Sequence, residues 1–256
     1  MPMIRHASPF APVHARSAFV GRVDPRLRIV AAVALSVLVA LADRFAVLGS
    51  ALAVSVLGLA LSGLPWRVVL RRLLPLNAVM LLLLLVLPLT SGGTPWGRLG
   101  PLEFSWEGLW LGVAIALKGN AIVLVLLALL GSVDATTLGH ALSHLRVPDK
   151  LTHLLLFTVR YLDVLHREYL RLRAAMKVRG FRPRMNRHTY RTFGYLVGML
   201  LVRSFDRSER IAAAMKCRGF RGRFYMLDHF VFSRRDVPFG LTSLAVLLVL
   251  ALMEWT

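Results

Sequence analysis

Residues Leu109 to Leu130 read LWLGVAIALKGNAIVLVLLALL, an apolar run whose only interruptions are one charge, Lys118, and one amide, Asn120. A helix needs ~20 such residues to cross the hydrocarbon core of a bilayer, and this run supplies them. Four further apolar runs accompany it, at Leu27 to Ala42, Phe45 to Leu61, Leu73 to Leu89 and Phe239 to Met253. Several are slightly short, so tilt, local thinning or snorkelling Arg flanks make up the difference. Composition agrees: 57% of the 256 residues are hydrophobic and the mean hydropathy is +0.64, far above a water-soluble domain. The chain reads as an all-α integral membrane protein with about five transmembrane helices plus two long cytoplasmic helices.

The distribution of Lys and Arg orients these spans. Arg5, Arg16, Arg22, Arg26 and Arg28 precede or open the first run, and Arg67, Arg71 and Arg72 lie between the second and third. The alternate connections, Asp43-Arg44 and the loop from Ser91 to Pro95 with Arg98, are poor in positive charge. The N-terminus is therefore expected in the cytoplasm and the Glu254-Trp255-Thr256 tail outside. The resulting division is a basic cytoplasmic segment at 1–22, a four-helix membrane region at 23–131, a cytoplasmic module at 132–235 and a final span at 236–256. Residues 1–22 are basic, contain Pro2, Pro9 and Pro12, and lack the apolar core of a cleavable signal.

From Arg146 to Arg235 there are 21 of the 32 basic residues against six acidic ones, a net +15 of the chain's +19. That charge lies between hydrophobic spans, not on a soluble groove-fitting module, which argues against nucleic acid as the partner. Two long helical patterns fill the stretch, Asp149 to Arg179 and Asn186 to Arg218, parted by the breaker Gly180-Phe181-Arg182-Pro183. Acid-before-base pairs at i, i+4, Asp163 with Arg167 and Asp206 with Arg210, support these helices without implying a functional role. The apolar stretch Tyr195 to Val202 is too short to span; it packs on the other helix or lies at the membrane face.

The ends of these patterns carry a repeat. Ala174 to Arg182 reads Ala-Ala-Met-Lys-Val-Arg-Gly-Phe-Arg and returns 39 residues later at Ala213 to Arg221 with Cys217 in place of Val178. A basic last turn followed by Gly is ordinary helix-end chemistry, since the dipole favours cations there and Gly takes the left-handed conformation. Dipole chemistry does not, however, require the same residues on both sides of the Gly. Small Ala174, Ala175, Ala213 and Ala214 allow close helix approach, Arg179 and Arg218 present planar forks suited to carboxylates, and Phe181 and Phe220 are costly to expose uncovered. Each tip thus has the chemistry of a plug for an acidic, partly apolar groove.

The paired x-Arg-Gly tips, Arg160-Tyr161-Leu162 with Glu168, the string Arg203 to Arg210, the opening Asp24-Pro25-Arg26-Leu27, Thr136-Thr137 and Val147-Pro148 together resemble the transmembrane T component of energy-coupling factor transporters, nearest the cobalt-type CbiQ branch. The resemblance covers about residues 23–220. Family tips are commonly Ala-Arg-Gly, and Val178 and Cys217 depart from that. The resemblance implies a subunit of an importer in the bacterial cytoplasmic membrane with no catalytic, cofactor or metal site of its own. Its implied partners are two ATP-binding cassette ATPase subunits and a substrate-binding membrane S component of CbiM type, with cobalt as cargo and nickel or a vitamin as alternatives. The implied ATPase-coupling residues are Ala175, Lys177, Arg179, Gly180 and Phe181 in the first tip and Ala214, Lys216, Arg218, Gly219 and Phe220 in the second.

Other candidates are weaker. His140 and His144, at i, i+4, have a metal-compatible spacing but no evident third ligand. Cys217 alone supports neither an internal disulfide nor a thiolate metal site. Lys118 and Asn120 sit inside a span, where a polar group either serves function or pairs within the bundle; both readings stand. The sequence contains no GxxxxGK[ST], HExxH or GxSxG pattern, and its dispersed acids do not suit a membrane enzyme acting on lipid phosphates. A stand-alone secondary carrier would distribute polar residues through several spans, whereas here one span clearly holds them.

Overall fold

The computed structural model describes residues 23–90, 95–99, 102–145, 147–220 and 236–255. Their elements run α1 (Pro25–Leu41), α2 (Phe45–Leu61), α3 (Trp66–Thr90), β1 (Pro95–Leu99), β2 (Leu102–Ser105), α4 (Trp106–Leu130), α5 (Ala135–His144), α6 (Asp149–Val178), α7 (Arg187–Cys217) and α8 (Asp236–Trp255). These elements form two compact units, one of α1 to α4 with the hairpin and α8, the other of α5 to α7. The architecture is helical apart from the antiparallel hairpin, in which Leu99 faces Leu102 and Arg98 faces Glu103.

All five apolar runs are helices. α3, α4 and α8 are long and apolar enough to cross a membrane unaided. α1 and α2, with 17 residues each, extend only about 25 Å. Several helix ends lie outside the apolar runs: α1 starts at Pro25, not Leu27, α3 at Trp66, just after Pro65, not at Leu73, α4 at Trp106, not Leu109, and α8 runs from Asp236 to Trp255, not Phe239 to Met253. Arg67, Arg71 and Arg72 therefore belong to the first turns of α3 and not to a connection. An apolar run marks where a helix meets lipid, while backbone hydrogen bonding begins wherever a cap allows it.

α4 is the central helix of its unit. Ala121, Val125, Leu124, Leu127 and Ala128 are buried against Leu35 and Val39 of α1, Val47, Leu48, Ala51 and Leu59 of α2, and Val69 of α3. Without a hydrophobic drive in lipid, close approach has to come from small residues. Gly112 provides it, since a Cβ there would sit 3.4 Å from the Leu84 backbone, and so does Gly119, where it would meet Met80 Cε at 2.7 Å.

Polar bonds tie the ends of these helices. Asp24 caps α1 by accepting from the Arg26 amide at 2.9 Å, and its own amide donates to Asp236 Oδ1 of α8 at 2.9 Å. Arg28, counted in the sequence among the basic residues before the first span, is buried inside α1. Its Nε donates to the Leu129 carbonyl at 2.7 Å and its Nη2 to Ser132 Oγ at 2.6 Å, closing the C-terminal end of α4. Lys118 donates to Asp43 Oδ1 at 3.0 Å and the Ala40 carbonyl at 3.4 Å, while the Asp43 amide donates to Glu254 Oε1 at 3.0 Å. For Lys118 the pairing alternative is thus realised.

Candidate functional site

α6 and α7 hold 30 and 31 residues, each about 45 Å long. Asn186 starts α7 by accepting from the Thr189 amide at 3.0 Å. Residues 157–165 of α6 line one shared groove of about 390 Å³ with residues 204–215 of α7. Early α6 thus faces late α7, so the two helices run antiparallel. Glu168, nearly buried on α6, accepts from Arg203 of α7 and from Arg171 Nη1 at 3.5 Å. The Arg203 guanidinium holds the Glu168 carboxyl below its ordinary value of 4.5, against the upward pull of burial.

The two repeated tips have the same hydrogen bonding. In the first, the Phe181 amide donates to the Met176 carbonyl at 3.1 Å and the Gly180 amide to the Lys177 carbonyl at 3.1 Å. In the second, the Phe220 amide donates to Met215 at 3.0 Å and the Gly219 amide to Lys216 at 3.0 Å. This is the paired bonding of a Schellman turn, and the glycines occupy the left-handed position it requires, with φ of 77° and 78°. Met and Phe are the residues whose side chains meet across such a turn. Repetition of the sequence therefore reproduces the turn itself.

Exposure repeats as well. Ala174, Ala175, Lys177, Val178, Arg179 and Gly180 face outward, as do Ala213, Ala214, Lys216, Cys217, Arg218 and Gly219, while Met176, Phe181, Met215 and Phe220 are half-buried. Phe181 is partly covered by its own chain: its ring meets Phe193 edge-on at 5.9 Å and His188 at 6.3 Å. The structure gathers the five sequence-derived residues of each tip at that tip but does not bring the tips together. Tip one adjoins the start of α7 and tip two ends it, so about 46 Å of helix separates them.

One neighbouring expectation comes out differently. Arg210 Nε donates to the Asp206 backbone carbonyl at 3.2 Å, so that contact is to main chain. Of Tyr195 to Val202, Leu196 is buried, whereas Tyr195, Val197, Met199, Leu201 and Val202 are exposed. His140 and His144 lie on α5, an element the sequence reading did not separate, and no cluster of three metal-ligating side chains occurs among the described residues. The reading also missed the Glu168–Arg203 bridge. Its signal was available: Glu168 is one of six acids in a strongly basic stretch, and a lone acid there has cations in reach.

Two comparisons place the chain. Over 249 residues it is 27% identical to the energy-coupling factor transporter transmembrane protein EcfT of Acidaminococcus fermentans, covering 91% of this chain and 92% of the relative. The model of the CbiQ family, described as cobalt transport protein, matches residues 16–226. With most of its length so matched, and with apolar helices joined to a basic helical pair, the chain belongs to the CbiQ cobalt transport protein family and is a transmembrane T component of an energy-coupling factor transporter.

Proposed function

We propose that the two tips are the docking ends through which this subunit couples ATP hydrolysis to import. The observation that carries the reading is the duplication in both sequence and geometry: two exposed Arg forks, Arg179 and Arg218, each set beside a left-handed Gly on an identical turn, at opposite ends of an antiparallel pair. Two equivalent plugs about 46 Å apart suit a partner with two similar sockets, as two ATP-binding cassette subunits present. Closure of that pair moves the plugs, and the Glu168–Arg203 bridge makes α6 and α7 move together. The moving helices act on a separate substrate-binding membrane subunit. Hydrolysis belongs to the ATPases, and this chain supplies no reacting group.

Cobalt is the proposed cargo, on the description of the matching family. The chain sits in the bacterial cytoplasmic membrane with its N-terminus and basic helical pair on the ATPase side, an orientation supported by the Lys and Arg distribution. Co-purification of the ATPases together with cobalt uptake tests the reading in Arg179→Ala, Arg218→Ala and the double variant. Truncating one partner of a buried charge pair costs about 2 to 5 kcal/mol. Each single variant is expected to weaken ATPase capture and uptake and the double to abolish both, with membrane insertion intact. Wild-type uptake by the double variant would sink the proposal.

A further inference from the structure

Between Glu168 and Asp206 the chain has no acidic residue, and eight Lys and Arg lie from Arg171 to Arg191. Among the described residues only Arg171 of these eight meets a carboxylate, that of Glu168 at 3.5 Å. On α7, Thr189 and Leu196 are buried and Arg203 reaches Glu168, so these three, each seven residues from the next, mark the side that meets α6. Arg187, Arg191, Leu201, Val202 and Phe205 fall on the opposite side by the same periodicity, and all five are exposed. Basic turns open this face and apolar turns follow. Arg191 Nε donates to the Tyr195 hydroxyl at 2.8 Å with its guanidinium 5.5 Å over that ring, which engages one of its five donors.

Unpaired cations at one end of a face call for anions, and apolar side chains along the rest of it call for an apolar medium. A leaflet of anionic phospholipid supplies both at adjoining depths, phosphates above acyl chains. An acidic soluble protein would answer the cations and leave Leu201, Val202 and Phe205 in water. We propose that the face of α7 turned away from α6 binds anionic phospholipid, with Arg187 and Arg191 on headgroup phosphates and Leu201, Val202 and Phe205 at the acyl boundary. Headgroup charge is what this surface recognises, and Arg179 and Arg218 take no part in it. The contact pins the start of α7, and the first tip beside it, to the membrane. That the leaflet is the cytoplasmic one rests on the orientation proposed above.

The test attaches the dye NBD to Leu201→Cys in a full-length Cys217→Ser chain, reconstituted in nanodiscs whose phospholipids carry spin labels on their acyl chains. Both leaflets face solution in a nanodisc, so the result is independent of orientation, and a failure counts against the α7 face alone. Nanodiscs containing phosphatidylglycerol are compared with nanodiscs of phosphatidylcholine only. The dye is expected to be quenched in the first and much less in the second, and about 1 M salt, which shortens the screening length to about 3 Å, should relieve the quenching. Arg187→Gln and Arg191→Gln are each expected to lower the ratio of quenched to unquenched chain about fivefold, the effect of one cation at an anionic surface, while Arg187→Lys and Arg191→Lys keep it. Equal quenching in the two nanodiscs, none in either, quenching untouched by both Gln variants, or its loss in the Lys variants overturns the proposal. So does displacement of the dye from lipid when the ATPases are added, which would give this face to them.

Discussion

Gly180 and Gly219 have open space where a Cβ would go, so substitution there meets no clash and tests the backbone alone. Forcing an L side chain into the left-handed region costs about 1 to 2 kcal/mol. Gly180→Ala is therefore expected to speed exchange of the Phe181 amide about tenfold, and Gly219→Ala that of Phe220, with the body of each helix unchanged. Unaltered exchange would show that the turns are held by something other than the glycine. Glu168 makes a pH prediction. Its carboxyl titrates below the ordinary 4.5 when folded, so its stabilising effect is complete at neutral pH and is lost as pH falls through that lower folded value. Protection of α6 and α7 amides should drop on acidification below 4.5 in the wild type, and Glu168→Gln should lose that acid-dependent part. An equal acid response in both would remove Glu168 from the link.

At the scale of elements, Lys118 and Asp43 are unequal partners. The Asp43 side chain is 88% exposed and can hydrate, whereas Lys118, 23% exposed, sits inside the longest apolar stretch of α4. An ammonium left unpaired at the centre of a span costs about 2.5 to 3.5 kcal/mol on insertion scales. Asp43→Asn should accordingly reduce the membrane-integrated yield more than Lys118→Met, and the double variant should recover most of the loss. A larger defect in Lys118→Met would reverse the assignment. The helices themselves were largely legible, because apolar runs and the breaker at Gly180 to Pro183 are local signals. α2 runs from Phe45 to Leu61 in both readings, and α6 and α7 end at the repeated tips. What was not legible depends on distant partners: Asp24 meets Asp236 across 212 residues and Glu168 meets Arg203 across 35. The strands at 95–99 and 102–105 and the ten-residue α5 are too short to hold the long apolar runs that reveal the spans.

For the whole molecule, the charge pattern implies a sidedness. If the helical pair serves ATPases, a Cys placed in the Gly92-Gly93 stretch of a Cys217→Ser chain reacts with a membrane-impermeant thiol reagent in intact cells, and one at Asn186 does not. Labelling at Asn186 from outside would put the tips on the wrong face of the membrane and end the coupling proposal along with the topology. The isolated chain is also expected to bind no cobalt tightly by calorimetry. A stoichiometric site abolished by His140→Ala would transfer metal recognition to α5.

The turn bonds described for each tip lie within six residues of its glycine, so each tip carries the instructions for its own turn. The nine-residue copies differ only where Val178 and Cys217 point outward. Transplanting Ala174 to Arg182 onto the end of α7, and Ala213 to Arg221 onto the end of α6, moves one valine and one cysteine and nothing else. If the tips dock into ATPase sockets as proposed, any change in the preference of one socket for one end of the chain after that exchange must come from those two side chains.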